Sequence, residues 1–415
     1  MKSTRQILLT TAMTLMAAIS APVQTGYGQG SSSSTSSNAD SRIYREGSNW
    51  VQETKGTVTA SKTLRVTSGT GSVEVRGDAG ASQVTFTVRK VVRNSSEDQS
   101  RREFGYFNVN AGRKMDMTYI WGGWVGGSRP KNSKLTLEYR ISVPKDTELV
   151  KVETLGGSVN VYSIKGKAYL QTAGGSISSD DIGGMLSANT LGGSIDVGDI
   201  GGEVHLNTAG GSINIRSAGG RIVAITSGGS VQVIKGLQNV KVETAGGSID
   251  VRECIGELQA TTAGGTIEIG NVGQGARLET AGGSIRLTSA KGMVRANTAG
   301  GGIRLTNLGN GAYAETANGP IEAEFISGRI SATHLATTAG DIVVYLPSDA
   351  AVTIKAAIEL ANGHKIVSEF SGVKIMSESG SYGPKEIFAE GSLNGGGPIM
   401  KVHTSNGNIY FRKAR

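Results

Sequence analysis

Short runs of alternating apolar and polar residues recur along the middle of the chain at a fixed interval. Each run follows a Thr that opens a Thr-x-Gly-Gly or closely related motif, and consecutive copies of this Thr are 18 residues apart. The copies are Thr154, Thr172, Thr190, Thr208, Thr226, Thr244, Thr262, Thr280, Thr298 and Thr316. A constant period without insertions is typical of proteins built from stacked structural repeats.

Two apolar positions after each Thr predict a strand with one buried face. Five residues after the Thr every copy has Val or Ile, and two residues later most copies again have an aliphatic residue. The residue between them is usually polar, as Asp250 is between Ile249 and Val251. A second alternating run precedes each Thr. Each repeat therefore carries two strands whose side chains point alternately inward and outward.

Gly pairs mark the turns between the strands. Over much of the repeat region they recur at half the repeat length, as at Gly192-Gly193 and Gly201-Gly202. Gly favours tight turns and lets successive turns stack closely. We therefore predict an all-β fold, a parallel β-solenoid (β-helix-like) with 18-residue coils and a cap at each end. The repeated Thr should form a buried ladder whose hydroxyls bond to the backbone of the turns.

The sequence outside the repeats predicts further segments. We predict a signal peptide at 1–25, a Ser-rich flexible linker at 26–41, an N-terminal β-rich cap at 42–150, the β-solenoid at 151–337 and a C-terminal β cap at 338–415. The N-terminal cap should contain a short helix in SSEDQSRREF and an aromatic hairpin around YIWGGWVGG, with a Gly-Gly pair at its turn. Beyond the repeats, the next Thr that matches the motif is Thr338.

Composition and the N-terminal pattern indicate an exported repeat protein. Of 415 residues, 62 are Gly and only 5% are aromatic. Lys2 and Arg5 precede a short apolar run at 7–19, which is typical of a secretory signal and too short to span a membrane. We therefore expect the protein in the periplasm, on the cell surface or outside the cell, with no transmembrane segment in the mature chain.

Charge and cysteine content exclude other classes of function. The net charge of +8 is modest for this length and is spread along the chain, so we expect no nucleic-acid partner. Cys254 is the single cysteine, which excludes an intrachain disulfide. It occupies an inward column shared with Ile200 and Val272, and this position predicts a buried, inert thiol.

We predict no metal site and no cofactor. Gly-Gly pairs at this spacing resemble a calcium-binding nonapeptide roll, but apolar residues such as Ile249 and Val251 stand where the ligands would be. The histidines are scattered without metal-ligand spacing, at His205, His334, His364 and His403.

One pair of acidic residues is a candidate catalytic site. Asp181 and Asp199 occupy the same column one repeat apart, so their backbones should lie about 4.8 Å apart. Paired carboxylates at about 5 Å serve as acid and nucleophile in retaining glycosidases. The alternative is that these are exposed turn aspartates, and we expect no His or well-placed basic partner beside them.

Two further sets of residues are candidates for binding. Four arginines share two outward columns and could meet an anionic glycan or lipopolysaccharide, the alternative being a solvated face; they are Arg277, Arg286, Arg295 and Arg304. Trp121 and Trp124 lie in a chain otherwise poor in aromatic residues. Trp rings stack on sugars and anchor interfaces, and the alternative is that this hairpin plugs the solenoid end.

Several stretches resemble the bacterial putative-adhesin family of Gly-rich β-strand repeats, a domain family of unknown function related to the head-GIN adhesin domain. The matching stretches are LRVTSGTGSVEVRG, YRISVPKDTELVKVETLGGSVNV, the repeated TAGGSI, GDIVVYLPSDA and TSNGNIYFRK. The resemblance covers roughly residues 50–413. It implies a β-repeat fold and an exported location, and it supplies no active-site residues.

Three functional hypotheses follow from the sequence. The first is a non-enzymatic, exported β-solenoid that acts at the cell envelope as an adhesin or glycan-binding scaffold, with a cell-surface glycan or an envelope protein as partner. The second is a polysaccharide-acting β-helix enzyme, a lyase or hydrolase, built on Asp181 and Asp199. The third is a self-associating structural element whose incompletely capped coils stack end to end.

Overall fold

The computed structural model describes residues 40–414 except 329, 362, 381 and 382. Within them the chain forms 36 strands and one helix, which confirms the predicted all-β fold. These residues divide into two compact units between Gly175 and Ser176. The predicted signal peptide and the predicted linker as far as residue 39 lie outside the described residues. Asp40 and Ser41, the last residues of that linker, begin the first strand.

The first unit contains eleven strands and the helix. Their bounds are β1 Asp40–Glu46, β2 Asn49–Thr59, β3 Thr63–Ser68, β4 Ser72–Asp78, β5 Gln83–Arg93, α1 Glu97–Gly105, β6 Phe107–Lys114, β7 Met117–Trp124, β8 Leu135–Pro144, β9 Leu149–Thr154, β10 Val159–Ile164 and β11 Lys167–Thr172.

These strands form two sheets. One has the order β1-β2-β5-β8-β4-β10 and mixes antiparallel with parallel pairs. The other has the order β6-β7-β3-β9-β11 and is parallel except for the β6–β7 hairpin. Alternation makes one face of each strand apolar, as in β8, where Leu137, Tyr139 and Ile141 are buried.

The predicted short helix is confirmed as α1. The Ser96 side chain accepts a hydrogen bond from the Gln99 amide and caps its first turn, where Glu97 and Asp98 also favour the positive end of the helix dipole. At the other end, the buried Lys90 ammonium donates to the carbonyl oxygens of Phe104 and Phe107 at 2.8 and 2.6 Å. Lys90 thereby joins the last turn of the helix to the first residue of β6.

The second unit contains the remaining strands. Their bounds are β12 Ile177–Ile182, β13 Leu186–Thr190, β14 Ile195–Ile200, β15 Val204–Thr208, β16 Ile213–Ala218, β17 Ile222–Thr226, β18 Val231–Gly236, β19 Val240–Thr244, β20 Ile249–Cys254, β21 Leu258–Thr261, β22 Ile267–Val272, β23 Ala276–Glu279, β24 Ile285–Ala290, β25 Val294–Thr298, β26 Ile303–Leu308, β27 Ala312–Asn318, β28 Ile321–Phe325, β29 Thr333–Ala339, β30 Ile342–Leu346, β31 Val352–Ile358, β32 Ile366–Ser368, β33 Val373–Gly380, β34 Gly383–Leu393, β35 Ile399–Asn406 and β36 Ile409–Lys413.

Alternate strands of this unit pair in parallel and in register. Even-numbered strands from β12 to β28 form one sheet and odd-numbered strands from β13 to β27 form the other, so each repeat adds one strand to each sheet. Ile249 pairs with Ile267, and Ile267 pairs with Ile285; all three side chains are at most 1% exposed. This pairing is consistent with the predicted β-solenoid.

The predicted Thr ladder is confirmed. The buried Thr244 hydroxyl donates to the Gly229 carbonyl oxygen of the preceding corner at 2.7 Å and accepts from the Gly247 amide of its own corner at 3.2 Å. The same pair of bonds recurs at Thr208, Thr226, Thr262, Thr280 and Thr298. Each buried hydroxyl is thus satisfied by backbone groups of two successive corners.

The prediction that Thr338 continues the ladder is wrong by one residue. Thr316 pairs with Thr337, whose hydroxyl donates to the Gly319 carbonyl oxygen at 3.0 Å. From this point the strand order departs from the order along the chain. The odd-numbered sheet continues β29-β35-β31-β34-β33, and the even-numbered sheet continues β28-β30-β36-β32.

Candidate functional site

The aromatic segment forms a hairpin, but its Gly-Gly pair is not at the turn as predicted. Gly122 and Gly123 lie inside β7, opposite Val109 and Asn108 of β6, and the turn is at residues 115–116. A Cβ on Gly122 would lie 2.1 Å from the Tyr139 hydroxyl. Gly122 is therefore required by the close approach of a buried aromatic side chain rather than by turn geometry.

Gly123 serves the opposite face of the same strand. A Cβ at this position would lie 2.4 Å from Cζ2 of Trp121, so the indole covers Gly123 on the outward face of the sheet. Tyr119 likewise covers Gly112 of β6, where a Cβ would lie 2.8 Å from the Tyr119 hydroxyl. Trp121 is 39% exposed. Two aromatic rings thus lie against glycines of a paired sheet, and Trp121 presents its ring to solvent.

Trp124 does not share this surface with Trp121. Strand alternation turns it to the other face, where its ring meets Phe107 edge-on at 5.0 Å between centroids. The Arg129 guanidinium lies 5.6 Å from the Trp124 centroid. Trp124 packs against the hairpin and the chain that follows it, and the predicted pair of binding tryptophans is divided between two faces.

Polar side chains surround Trp121 on the outward face. Trp121 pairs with Asn110 of β6 and with Thr67 of β3, and Thr67 pairs with Glu153 of β9. Glu153 accepts from Arg65 and pairs with Lys151, both at 2.9 Å. We name this surface, formed by Asn110, Tyr119, Trp121, Thr67, Arg65, Lys151 and Glu153, the Trp121 face.

Ion pairing fixes the charge of the Trp121 face. Partial burial favours the neutral form of Glu153, but hydrogen bonds from Lys151 and Arg65 outweigh burial and lower the pKa of the carboxyl. Glu153 therefore stays ionised and holds both cationic side chains in place. The face combines an exposed aromatic ring with fixed donors and acceptors on paired strands.

The acidic candidates are arranged differently from the prediction. The carboxylate that bridges two repeats belongs to Asp180, whose Oδ1 accepts from the Asp199 amide at 2.8 Å and the Asp181 amide at 2.9 Å. Arg216 of the next strand in the sheet bonds Asp180 at 2.6 Å and Asp199 at 3.1 Å. The expectation that no basic side chain accompanies these aspartates is therefore wrong.

Arg216 determines what this cluster can do chemically. Partial burial raises the pKa of Asp180, but bonds from the Asp199 amide, Arg216 and the Asp181 amide outweigh burial and lower that pKa. A general acid at a glycosidic bond needs a carboxyl whose pKa is raised so that it keeps its proton. Asp180 lacks that property, and Asp199 is ion-paired to the same guanidinium.

The four predicted arginines occupy the predicted columns, with different partners. Arg286 and Arg304 are adjacent in one sheet and pair with Glu268 at 2.9 Å and Glu322 at 3.2 Å. In the other sheet, Arg277 and Arg295 are adjacent, and Arg277 pairs with Glu279 at 2.7 Å. Arg295 has no ion pair within the described part of the chain.

The thiol of Cys254 is the last reactive group to consider, and it is buried. Cys254 is 1% exposed, as predicted, and burial raises the pKa of its thiol, which suppresses the reactive thiolate.

Over residues 40–414, apart from the four omitted positions, no three His, Cys, Asp or Glu side chains are placed to hold a metal ion. No helix in that same part of the chain has the length and apolar character needed to cross a membrane.

Comparison with known proteins gives distant structural likenesses. No family model matches the chain, and no curated protein matches it. Solved structures that match include a putative cell adhesion protein from Clostridium sporogenes, at 10% identity and a TM-score of 0.19, over 91% of this chain and 100% of that one. A putative adhesin from Parabacteroides distasonis matches at 11% identity and a TM-score of 0.24, over 71% of this chain and 96% of that one. A putative lipid binding protein from the same species matches at 12% identity and a TM-score of 0.20, over 91% and 97%. At these values the likenesses carry no argument about what this chain does.

Proposed function

We propose that this chain is an exported β-solenoid that acts at the cell envelope by surface contact, as an adhesin-like protein that binds glycans through the Trp121 face. The observation that carries the proposal is the outward Trp121 ring, which lies against Gly123 and belongs to a side chain that is 39% exposed. An apolar ring face held on a rigid sheet suits the apolar face of a sugar ring.

The surroundings of Trp121 support a glycan rather than an apolar ligand. Asn110 and Thr67 flank the ring on the neighbouring strands, and Glu153, opposite Thr67 on the next strand, pairs with Arg65. Amide, hydroxyl and guanidinium groups supply the donors and acceptors that sugar hydroxyls require. Because paired strands hold these groups, little conformational entropy is lost when a ligand binds.

The charge state of the acidic cluster favours binding over catalysis. Asp180 and Asp199 share Arg216, and the pKa of Asp180 is lowered. With its lowered pKa, Asp180 is poorly suited to be the proton donor of an enzyme built on this cluster. The export and envelope location within the proposal rest on the basic start and short apolar run of the N-terminal sequence.

The test is a glycan array followed by titration of the strongest ligand. Trp121→Ala should weaken binding about tenfold, since an aromatic anchor contributes on the order of 1–2 kcal/mol. Tyr119→Ala should give a smaller loss. Trp50→Ala is the matched control, because Trp50 lies on β2 in the other sheet of the same unit.

Two results would contradict the proposal. Binding that survives both Trp121→Ala and Tyr119→Ala would remove the Trp121 face as the binding surface. Release of sugar from a polysaccharide by the unaltered protein, abolished in Asp180→Asn or Asp199→Asn, would establish the enzyme instead. Circular dichroism of each variant checks that the fold is kept.

A further inference from the structure

A row of cationic and aromatic side chains crosses neighbouring strands of the second unit. In the odd-numbered sheet, Arg277 pairs with Arg295, Arg295 with Tyr313, Tyr313 with His334, His334 with Lys401, and Lys401 with Lys355. All six positions alternate with buried neighbours and face outward. We name them the Arg295 column. At about 4.8 Å per strand, the column is about 24 Å long.

The charges of the column are only partly neutralised. Arg277 pairs with Glu279, and Lys355 lies 3.8 Å from Glu390. Arg295 and Lys401 have no ion-pair partner among the residues that the structure describes. Like charges directly opposite each other on neighbouring strands are destabilising. The fold gains nothing from these adjacent cations, so a ligand is the simplest reason for them.

Tyr313 provides an aromatic surface within the column. It is 36% exposed, and its ring lies 5.0 Å from that of His334 at a tilt of 31°. The Tyr313 hydroxyl donates to Glu315, which also contacts His334 at 3.3 Å. These contacts hold the ring in one orientation between Arg295 and the lysines. A ring face beside cations suits a ligand that has both sugar rings and acidic groups.

In the corresponding column of the other sheet, both arginines are ion-paired. Arg286 and Arg304 are also adjacent, but Glu268 and Glu322 stand on either side of them and pair with them. Their charges are therefore neutralised within the column. The two arginine columns look alike in sequence but differ in free charge, and this makes Arg286 and Arg304 a matched control.

We propose that the Arg295 column binds an extended acidic polysaccharide of the polyuronate type, with the polymer running across the strands. The strand spacing of about 4.8 Å is close to the length of one sugar ring, so carboxylates of one polymer can meet the arginines at one end of the column and the lysines at the other, with a sugar ring against Tyr313 between them. An anionic membrane is disfavoured, because Glu279 and Glu315 lie beside the column and would repel a wide negative surface. The proposal does not depend on the Trp121 face.

The experiment uses polygalacturonate and its fully methyl-esterified, uncharged form. The full chain should bind polygalacturonate, and binding should weaken as salt is raised. Arg295→Ala combined with Lys401→Ala should weaken binding about tenfold, as expected for two exposed ion pairs. Tyr313→Ala should weaken it about threefold, and Arg286→Ala combined with Arg304→Ala should leave it within about twofold.

Three results would overturn the proposal. They are equal affinity for the esterified polymer, equal losses in the two double variants, and binding to phosphatidylglycerol vesicles without binding to polygalacturonate. Trp121→Ala should leave polygalacturonate binding unchanged. This variant distinguishes a failure of the Arg295 column from a failure of the proposed glycan site on the first unit.

Discussion

The glycines of the repeat corners and Gly123 beneath Trp121 both leave room for a close neighbour. At the corners the neighbour is backbone, and at Gly123 it is a side chain. A Cβ on Gly247 in the second unit would lie 2.1 Å from the carbonyl oxygen of Gly229, and a Cβ on Gly123 in the first unit would lie 2.4 Å from the Trp121 ring. The carbonyl belongs to the backbone of a corner and accepts a hydrogen bond from the Thr244 hydroxyl, whereas the indole can rotate. Gly247 is therefore required for stability, and Gly123 for the orientation of one exposed ring.

The comparison indicates where binding chemistry is to be sought in such a chain. At the corners, Thr244 and its equivalents are buried, and backbone groups of the protein itself satisfy their hydroxyls. Trp121 lies outside the repeats, and Tyr313 lies in an outward column whose residue type differs from repeat to repeat; both side chains are exposed. Inward positions and corners build the sheets, and variable outward positions carry side chains that a partner can reach.

The largest expected effect is at a repeat corner. Gly247→Ala should lower the free energy of unfolding by about 3 kcal/mol, because the methyl group meets fixed backbone. Gly246→Ala is the matched control, since its Cβ would be 3.4 Å from the nearest atom, the Gly228 carbonyl oxygen. Denaturant unfolding followed by circular dichroism measures both. Equal losses would show that the corners do not stack as described.

The next effect concerns the Thr ladder. Thr244→Val keeps the shape of the side chain but removes its bonds to Gly229 and Gly247, and it should destabilise the protein by about 1–3 kcal/mol. Thr261→Val is the control, because Thr261 faces outward on the next strand of the same sheet. A Thr244→Val variant as stable as this control would contradict the role given to the ladder.

A third prediction tests how the hairpin that carries Trp121 is anchored. Burial lowers the pKa of Lys90 to about 8, and in the unfolded chain a lysine pKa is about 10.4. Between these values the unfolded state binds more protons, so stability should rise from about pH 8 to about pH 10. We expect a rise of about 1–2 kcal/mol, less than the full shift, because bonds to two carbonyls favour the charged form.

Lys90→Met should abolish this rise, and Lys167→Met should keep it because Lys167 is exposed. Denaturant unfolding at a series of pH values measures the effect. Stability that stays level or falls from pH 8 to pH 10 in the unaltered protein would contradict the assignment of a buried, easily deprotonated lysine at this position.

The smallest effect separates function from stability. Gly123→Ala should displace the Trp121 ring and weaken glycan binding about threefold, while the free energy of unfolding falls by no more than about 1 kcal/mol. Gly105→Ala is the control, because a Cβ there would have no neighbour within 4 Å. A loss of stability as large as that of Gly247→Ala would show that Gly123, like Gly247, is required for stability.

The repeat pattern was sufficient to predict the strands, the buried columns and the Thr ladder. Side chains such as Ile249 and Ile267 are one 18-residue repeat apart, so they occupy equivalent positions in successive repeats. Because the corners have nearly the same sequence, successive strands pair in the same register. Prediction failed where the period changes: Thr337 rather than Thr338 continues the ladder. One residue of slip moves every side chain to the other face, and only the register of the pairing reveals it.

The candidate sites were less predictable, because they depend on contacts between strands that are distant in sequence. Gly122 and Gly123 have the composition of a turn, and nothing nearby in the chain shows that Tyr139 and Trp121 require them. Arg216 and Asp180 lie two repeats apart. Outward residues differ from repeat to repeat, so the repeat pattern does not predict this ion pair. Lys401 joins the Arg295 column because β35 inserts beside β29, which no sequence period indicates.

Cysteine cross-linking tests the account most directly, because the Arg295 column depends on in-register outward positions across paired strands. In a Cys254→Ala background, which removes the one native thiol, Ala336→Cys is combined with His403→Cys on the adjacent strand or with Ala357→Cys two strands away. Disulfides need Cα atoms about 4.4–6.8 Å apart, and adjacent strands are about 4.8 Å apart. We predict rapid oxidation of the 336–403 pair alone. Oxidation of the 336–357 pair in its place, or of neither, would contradict the strand order on which the columns rest.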